Sequence, residues 1–312
     1  MYKRDDDLLP EEMWVTNVQV ATVWTNPQSA REMDRDGTEN PTNMEKWVTE
    51  LTDKEKVALC DENRIQSQLL YGEPVLVTEI RDGFAHVIIP SQPSKKDGRG
   101  YPGWVPAKQL AQVNKVEWVK PLTAAVQTKH AWLETSEGEK EMMLSYLTML
   151  PVEAVGDNRV EVQTPSGKKY LPKDAVHVFS TEEGVDPGDG EAVVKAAEGH
   201  LGLSYFWGGM SAFGYDCSGL SYAAHKANGY RIPRDAGDQA KAGKPIPLDA
   251  IRPGDLLFFA YEKGKGRIHH VGISTGDGKM IHAPQTGKGV EIISLKGTKY
   301  EDELCVARRY WE

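Results

Sequence analysis

Hydrophobic and polar positions alternate with a period of two through much of the first 180 residues, in short runs broken by turn residues. The run "VQVATVWTNP" carries β-branched side chains and ends at a proline, and "PVLVTEIRDGFAHVIIP" reads as strand, glycine turn and strand. This pattern predicts an antiparallel, β-rich module. Residues 1–16 precede it as a charged stretch, which we expect to form a tail.

Residues 41–62 interrupt the alternation. Apolar side chains recur there at intervals of three or four from Met44 to Leu51 and beyond, which predicts one or two short helices. Thr42 or Asn43 is available as the helix cap.

A third pattern begins after "STEEGVDPGDG" (180–190), an acidic stretch rich in Gly and Pro that is typical of a linker. Helices are predicted at about 190–200 and 217–228, followed by strands at "DLLFFA", "HVGIST", "KMIHAP" and "VEIIS", with "CVARRYW" closing the chain. This order predicts an α+β domain.

Composition limits the classes of function. A chain of 312 residues exceeds what one core usually organises, so we expect two or three domains. The formal charge of -9 argues against nucleic acid as a partner. The sequence has no apolar run near the roughly 20 residues needed to span a bilayer, so we expect no membrane insertion. The three cysteines form no disulfide framework, which favours a reducing, cytoplasmic compartment. The alternative is a periplasmic or secreted protein whose signal peptide has been removed. We expect a monomer.

One cysteine is a candidate nucleophile. In "GYDCSGL", Cys217 stands where a glycine-containing loop is predicted to become a helix, and the free N–H groups and positive dipole of a first helical turn favour a thiolate. The adjacent Asp216 opposes this, because a neighbouring carboxylate raises a thiol pKa. Asp216 therefore either caps the helix or faces a positive group of the substrate. Cys60 and Cys305 are interpreted as ordinary packed cysteines.

Histidines on two neighbouring strands supply candidates for the general base. In "RIHHVGIST", strand alternation puts His270 on one face with Gly272 and Ser274, whose small side chains leave room for a cleft. His269 faces the other way and is predicted to be a packed or rim residue. Antiparallel pairing would bring His282, in "KMIHAPQ", beside His270, where one ring can hold the other in the required tautomer.

The same three side chains could instead bind zinc, which accepts sulfur and nitrogen ligands. The chain has neither a CxxC pair nor an HExxH helix to complete the shell. We therefore expect a thiol site with no metal and no cofactor.

The segments "YFWGG", "GYDCSGLSY", "RPGDLLFF", "HHVGIST" and "MIHAP" occur together in this order. In this combination residues 182–312 resemble the NlpC/P60 cysteine peptidases, which have a papain-like fold. The resemblance implies that Cys217 is the nucleophile, His270 the base and His282 the orienting residue. It also implies that Tyr205 lies near the nucleophile and forms the oxyanion environment together with the Cys217 amide.

The β-rich region resembles bacterial SH3-like (SH3b) domains. The signature "GWVP" in "RGYPGWVPAKQL" supports one domain over 17–113 with a helical insertion, and "KKYLPKDAV" holds the equivalent place in a second, SH3b-like domain over 114–181. The expected fold is therefore multidomain: two SH3-like β-barrels followed by an α+β papain-like catalytic domain.

This domain order resembles the γ-D-glutamyl-L-diamino acid endopeptidases, also called dipeptidyl-peptidase VI. The resemblance implies cleavage of murein stem peptides between γ-D-Glu and the diamino acid, lysine or diaminopimelate, when the L-Ala amine is free. It further implies that Glu62, Tyr101, Asp216 and Ser218 hold that amine, with Asp61 competing with Glu62.

Two other functions stay open at this point. The SH3b modules could make the chain a peptidoglycan-binding protein with little or no hydrolase activity. An acyltransferase or lipid hydrolase on a papain-like fold is a third reading, but the sequence carries no amphipathic or transmembrane segment to support it.

Overall fold

The alternating segments near the start of the chain pair into one seven-stranded antiparallel sheet in the computed structural model, which describes residues 10–312. The elements of this first barrel are β1 (Glu12–Thr16), β2 (Val20–Trp24), α1 (Arg35–Thr38), α2 (Met44–Glu50), α3 (Asp53–Asp61), β3 (Ile65–Leu70), β4 (Pro74–Arg81), β5 (Phe84–Ile89), β6 (Tyr101–Pro106) and β7 (Leu110–Asn114). The strands lie in the order β3-β2-β6-β5-β4-β1-β7.

The predicted tail is wrong over its last residues. β1 pairs antiparallel with both β4 and β7, so Glu12–Thr16 belongs to the first barrel. The reason is the alternation within this short segment: Met13 and Val15 are fully buried. The earlier part of the predicted tail, residues 1–9, lies outside the described residues.

The helical insertion forms as three short helices. The Asn43 side chain accepts a hydrogen bond from the Lys46 N–H and so caps α2. Thr52 and Glu55 form a reciprocal capping box at the start of α3. Trp47 of α2 is buried, and its indole Nε1 donates to the Asp34 carboxylate at 3.1 Å. These contacts hold the insertion together, and Trp47 packs it on Trp24 of β2, with ring centroids 6.0 Å apart.

The second barrel repeats the first. After the short helix α4 (Lys115–Trp118), a seven-stranded sheet has the order β10-β9-β13-β12-β11-β8-β14. This is the strand order of the first barrel with seven added to each strand number. Its strands are β8 (Leu122–Val126), β9 (His130–Glu134), β10 (Lys140–Ser145), β11 (Met149–Val155), β12 (Arg159–Thr164), β13 (Gly167–Pro172) and β14 (Val176–Ser180).

The third domain combines helices with a six-stranded antiparallel sheet. Its elements are α5 (Gly190–Glu198), β15 (Met210–Ser211), β16 (Gly214–Tyr215), α6 (Cys217–Lys226), α7 (Ala236–Gln239), β17 (Lys244–Ile246), β18 (Leu256–Ala260), the helical turn α8 (Tyr261–Gly264), β19 (Ile268–Gly276), β20 (Lys279–His282), β21 (Glu291–Ser294), α9 (Lys299–Glu303) and β22 (Leu304–Arg309). The sheet order is β17-β22-β18-β19-β20-β21, and α5 and α6 pack together against β19.

The first barrel is joined to this third domain by an apolar and hydrogen-bonded interface. Trp47 packs edge-on against Phe206, with ring centroids 5.2 Å apart. The indole of Trp207 donates to the Ile65 carbonyl at 3.1 Å. The first barrel therefore forms a fixed wall beside the loop that leads into α6. No helix among residues 10–312 is long and apolar enough to span a membrane.

Candidate active site

The loop before α6 delivers Cys217 to the first position of that helix. Asp216 is the N-cap residue, and its Oδ1 accepts a hydrogen bond from the Gly219 N–H at 2.6 Å. Gly219 itself leaves room for the approach of the Gly209 carbonyl, since a Cβ there would lie 2.1 Å from that oxygen. The side chain of Cys217 is partly exposed, while its neighbours in α6 are buried.

The Asp216 carboxylate has further partners that the sequence did not predict. Arg234, 1% exposed, forms a two-pronged ion pair with it at 2.7 and 3.2 Å, and the Gly208 N–H donates to it at 3.0 Å. Arg234 also donates to the Ser218 hydroxyl at 2.8 Å and to Ser67 of the first barrel at 3.0 Å. We call Arg234, Asp216, Ser218 and Ser67 the Arg234 network.

This network gives Asp216 and Ser218 partners within the protein, whereas the sequence analysis expected them to contact a substrate amine. Both oxygens of Asp216 are occupied by Arg234 and by backbone N–H groups, and the side chain is only 8% exposed. A buried carboxylate with a guanidinium partner has no need of a second cation. The two residues hold the first turn of α6 in place instead.

Burial acts on the Cys217 thiol in the direction opposite to the helix start. Burial, and next the Asp216 carboxylate, raise the pKa of the thiol to about 12, although the N–H groups of Val271 and Ser218 act in the opposite direction. The N-terminal position on α6 does not outweigh burial. Burial therefore opposes the thiolate that the helix start alone favours, and a base that takes the thiol proton becomes important for attack by sulfur.

His270 and His282 lie side by side, as the antiparallel pairing of neighbouring strands predicted. His270 Nε2 and His282 Nδ1 are 2.7 Å apart, and both residues are buried. Gly272 makes this possible, since a Cβ at that position would come within 2.4 Å of Met280 Sδ and 3.4 Å of His282 Cβ. Burial, followed by the neighbouring His282, lowers the pKa of His270 well below its usual value. Burial lowers that of His282 to about 4.

The alternation also separates the two adjacent histidines. His269 lies on the other face, where its Nε2 is 3.2 Å from Glu303 Oε2 and its ring stacks on Tyr261 with centroids 4.2 Å apart. It is the rim residue that the sequence predicted.

Tyr300 of α9 completes the surroundings of the histidine pair. Its ring stacks on His270 with centroids 5.1 Å apart and meets His282 edge-on at 5.4 Å. Burial raises the pKa of its hydroxyl to about 12, and the charge of Cys217 in its thiolate form acts in the same direction. Tyr300 therefore restrains both imidazoles from one side.

Tyr205, which the resemblance expects near the nucleophile, forms an isolated β-bridge with Tyr215, two residues before Cys217. It is 8% exposed and held by a hydrogen bond from its N–H to the Lys288 carbonyl at 2.9 Å. Burial raises the pKa of its hydroxyl well above the usual value, and the nearby thiolate form of Cys217 contributes. The hydroxyl is thus kept neutral and able to donate.

A second acidic group lies where the third domain meets the first barrel. The Tyr101 hydroxyl donates to Asp235 Oδ1 at 3.0 Å, and the Asp235 side chain is 34% exposed. The ammonium of Lys96 contacts the Tyr101 hydroxyl and lies 3.4 Å from Asp235 Oδ2. We call Tyr101 and Asp235 the Tyr101–Asp235 pair.

The loop that carries Asp235 is tied to the nucleophile helix. Gln239 Nε2 donates to the Ser218 carbonyl at 3.1 Å and to the Pro233 carbonyl at 2.8 Å. Arg234, next to Asp235 in the chain, binds Asp216 beside Cys217. The spacing between the Tyr101–Asp235 pair and the sulfur is therefore fixed by buried hydrogen bonds.

Glu62 does not join this pair in the structure. Its carboxylate accepts a hydrogen bond from Arg64 Nε at 2.7 Å, and its side chain is 54% exposed at the end of α3. Asp61, the competing candidate, is likewise exposed. Of these three carboxylates, Asp235 is the one that contacts Tyr101.

Sequence reasoning missed Arg234, Asp235 and Tyr300. The first two lie in "RIPRDAGDQ", and the succession of Pro, Arg and Asp after the nucleophile helix was the available signal. No sequence signal pointed to Tyr300, because its contact with His270 depends on how α9 packs against the sheet.

Comparison with known proteins agrees with this architecture. A profile of the NlpC/P60 family matches residues 202–309, one of the YKFC SH3b2 domain matches 126–179, and one of the bacterial dipeptidyl-peptidase Sh3 domain matches 60–110. The expected succession of two SH3-like domains and a papain-like domain is thereby confirmed.

Similar proteins align over nearly the whole chain. The gamma-D-glutamyl-L-lysine dipeptidyl-peptidase of Bacillus subtilis is 47% identical over 93% of this chain and 96% of that protein. A protein of the same name from Bacillus cereus is 35% identical over 94% and 90%. The crystal structure of an NlpC/P60 family protein from Bacillus cereus superposes with a TM-score of 0.92, at 34% identity, over 96% of this chain and 100% of that one.

Proposed function

The chain belongs to the NlpC/P60 family of peptidases, and from this premise we propose that it cleaves murein stem peptides between γ-D-Glu and the diamino acid, releasing L-Ala-γ-D-Glu. The observation that carries the proposal is the position of the Tyr101–Asp235 pair, whose partly exposed carboxylate is connected by hydrogen bonds of its loop to the helix start at Cys217. The relatives named as gamma-D-glutamyl-L-lysine dipeptidyl-peptidases support the same substrate.

In the proposed reaction Cys217 is the nucleophile and His270 the general base. His270 Nε2 is engaged with His282, which leaves Nδ1 to accept the thiol proton as sulfur attacks the γ-carbonyl carbon of D-Glu. The tetrahedral intermediate then collapses, and the same imidazole protonates the departing amine of the diamino acid. Water, deprotonated by His270, hydrolyses the thioester and regenerates the thiol.

His282 orients His270 through a defined tautomer. If His282 Nδ1 accepts the proton of His270 Nε2, its own N–H is on Nε2, and Glu291 Oε1 lies 3.6 Å from that atom. The carboxylate favours this arrangement over the reverse one. It also stabilises the positive charge that His270 acquires when it takes the thiol proton.

We assign the oxyanion contacts to Tyr205 and to the Cys217 amide. The first N–H groups of α6 lack partners within the helix, so that amide can donate to a developing oxyanion. The high pKa of the Tyr205 hydroxyl keeps it protonated and able to donate.

The Tyr101–Asp235 pair is the proposed site for the free amine of L-Ala. A substrate ammonium there would neutralise Asp235, and the fixed spacing to the sulfur would select the second peptide bond from the amine. A blocked N-terminus offers Asp235 no cation, so such a peptide forgoes charge pairing of about 2–5 kcal/mol, by analogy with truncated charge pairs.

The test is incubation with L-Ala-γ-D-Glu-L-Lys and with its N-acetylated form, with products identified by mass spectrometry. We expect L-Ala-γ-D-Glu and lysine from the free peptide only, and no product from a Cys217→Ala variant. Equal cleavage of both peptides, or of neither, contradicts the proposal. Retention of the Cys217→Ala variant on purified sacculi would support the wall-binding alternative.

We further propose that the protein acts in the cytoplasm, on peptides already detached from glycan. A requirement for a free L-Ala amine supports this, because that amine is acylated in peptides still joined to the glycan. The three cysteines are free thiols, which suits a reducing compartment. Activity measured in separated cytoplasmic and external fractions tests it, and activity confined to the external fraction would contradict it.

A further inference from the structure

The proposed amine site is occupied in this structure by a cation that belongs to the protein itself. Lys96 Nζ contacts the Tyr101 hydroxyl, lies 2.9 Å from Gln66 Oε1 and 3.4 Å from Asp235 Oδ2, and sits 4.1 Å from the centre of the Tyr101 ring. A hydroxyl, an amide oxygen, a carboxylate and an aromatic face are the groups that recognise a primary ammonium. An α-amine of a peptide would use the same groups.

The backbone on either side of Lys96 is fixed, whereas its side chain is partly free. The Pro93 carbonyl accepts from the Arg234 N–H at 3.0 Å, and the Lys95 N–H donates to Asp238 Oδ2 at 3.1 Å. Both contacts join this loop of the first barrel to the third domain. The Lys96 side chain is 35% exposed, so its four-carbon stem can turn outward while the loop stays in place.

We propose that Lys96 is an internal competitor for the amine site, a specificity-determining residue whose ammonium leaves Asp235 only when a substrate ammonium replaces it. This rests on the function proposed above. In the free enzyme Lys96 keeps the exposed Asp235 carboxylate paired. Exchange of one primary ammonium for another preserves that pairing, whereas a blocked peptide offers no cation in return. Lys96 therefore lowers the affinity for every amine that binds there.

The test compares Lys96→Met with the wild type on free and N-acetylated L-Ala-γ-D-Glu-L-Lys. Methionine keeps the length and removes the charge. We expect KM for the free peptide to fall about 3- to 10-fold, the factor expected if the competitor fills the site in roughly two thirds to nine tenths of free molecules. We expect kcat to stay within about twofold, because Lys96 contacts neither the sulfur nor the imidazoles, and KM for the acetylated peptide should not fall.

Lys95→Met is the matched control, because its ammonium lies 3.5 Å from Asp238 rather than at the amine site. It should behave as the wild type, and Lys96→Arg should keep the higher KM. Calorimetric binding of L-Ala-γ-D-Glu to Cys217→Ala, with and without Lys96→Met, gives a readout free of chemistry and should show the same tightening.

The outcomes separate the two proposals. If the wild type cleaves the free peptide but Lys96→Met leaves KM and product affinity unchanged, or weakens them, Lys96 is not a competitor while the proposed function stands. If the wild type neither binds nor cleaves the free peptide, both proposals are wrong.

Discussion

Removal of the Arg234 guanidinium should be among the most damaging single changes in the third domain. In the wild type the side chains of Arg234 and Asp216 are 2% and 8% exposed. Arg234→Met leaves the Asp216 carboxylate buried, with the Gly208 and Gly219 N–H groups as its remaining backbone donors. Breaking a buried ion pair by removing one partner costs about 3–5 kcal/mol. At about 2–4 °C per kcal/mol, the transition of this domain should move down by roughly 10 °C.

The assay is thermal unfolding followed by circular dichroism, with Arg252→Met as control, since Arg252 is 64% exposed and pairs with Glu312 at 3.5 Å. An exposed pair of this kind contributes about 0–1 kcal/mol. The double variant Arg234→Met, Asp216→Asn should be more stable than Arg234→Met alone, because it no longer buries an unpaired charge. A loss below about 1 kcal/mol for Arg234→Met, or strictly additive effects, would refute this reasoning.

Three further predictions concern the histidine pair. His282→Ala should lower kcat by about 10²-fold or more, and His282→Asn by less, because an amide oxygen can still accept from His270; equal losses in steady-state assays would contradict this. Tyr300→Ala should lower kcat by about 10-fold, because the imidazoles lose the ring that positions them. Tyr300→Phe should stay close to the wild type, since it keeps that ring. A phenylalanine variant as slow as the alanine variant would contradict this and implicate the hydroxyl. In a pH profile of kcat/KM, activity should persist as the pH falls through 6.5 and decline only at lower pH. The reason is that burial lowers the pKa of His270, so the imidazole stays neutral and able to act as a base at lower pH. A decline in activity centred at pH 6.5 or above would contradict a lowered pKa of His270.

The sequence predicted those features that depend on local periodicity. Alternation along one strand separated His270 from His269, and the pairing of two neighbouring strands brought His282 to His270 at 2.7 Å. The cap of α2 at Asn43 followed from the residue type at a helix start. In each case the determining contact lies within one element or between adjacent strands.

The sequence could not predict features that depend on contacts between distant segments. The role of Asp216 was left between a helix cap and a substrate contact because its partner Arg234 lies 18 residues away on an irregular loop. The expectation of a thiolate at Cys217 was based on the helix start alone. The burial that raises the pKa of this thiol depends on the folded chain around it. Lys96 and Asp235 come from different domains, so no motif contains both.

The most direct test of the account is the preference of Asp235→Asn for free over N-acetylated L-Ala-γ-D-Glu-L-Lys, measured as the ratio of the two kcat/KM values. The wild type should prefer the free peptide by at least about 30-fold, which corresponds to about 2 kcal/mol of charge pairing. Asp235→Asn should bring that ratio close to one by losing activity on the free peptide alone. A variant that keeps the wild-type ratio would show that the amine binds elsewhere and that the Tyr101–Asp235 pair does not select the scissile bond.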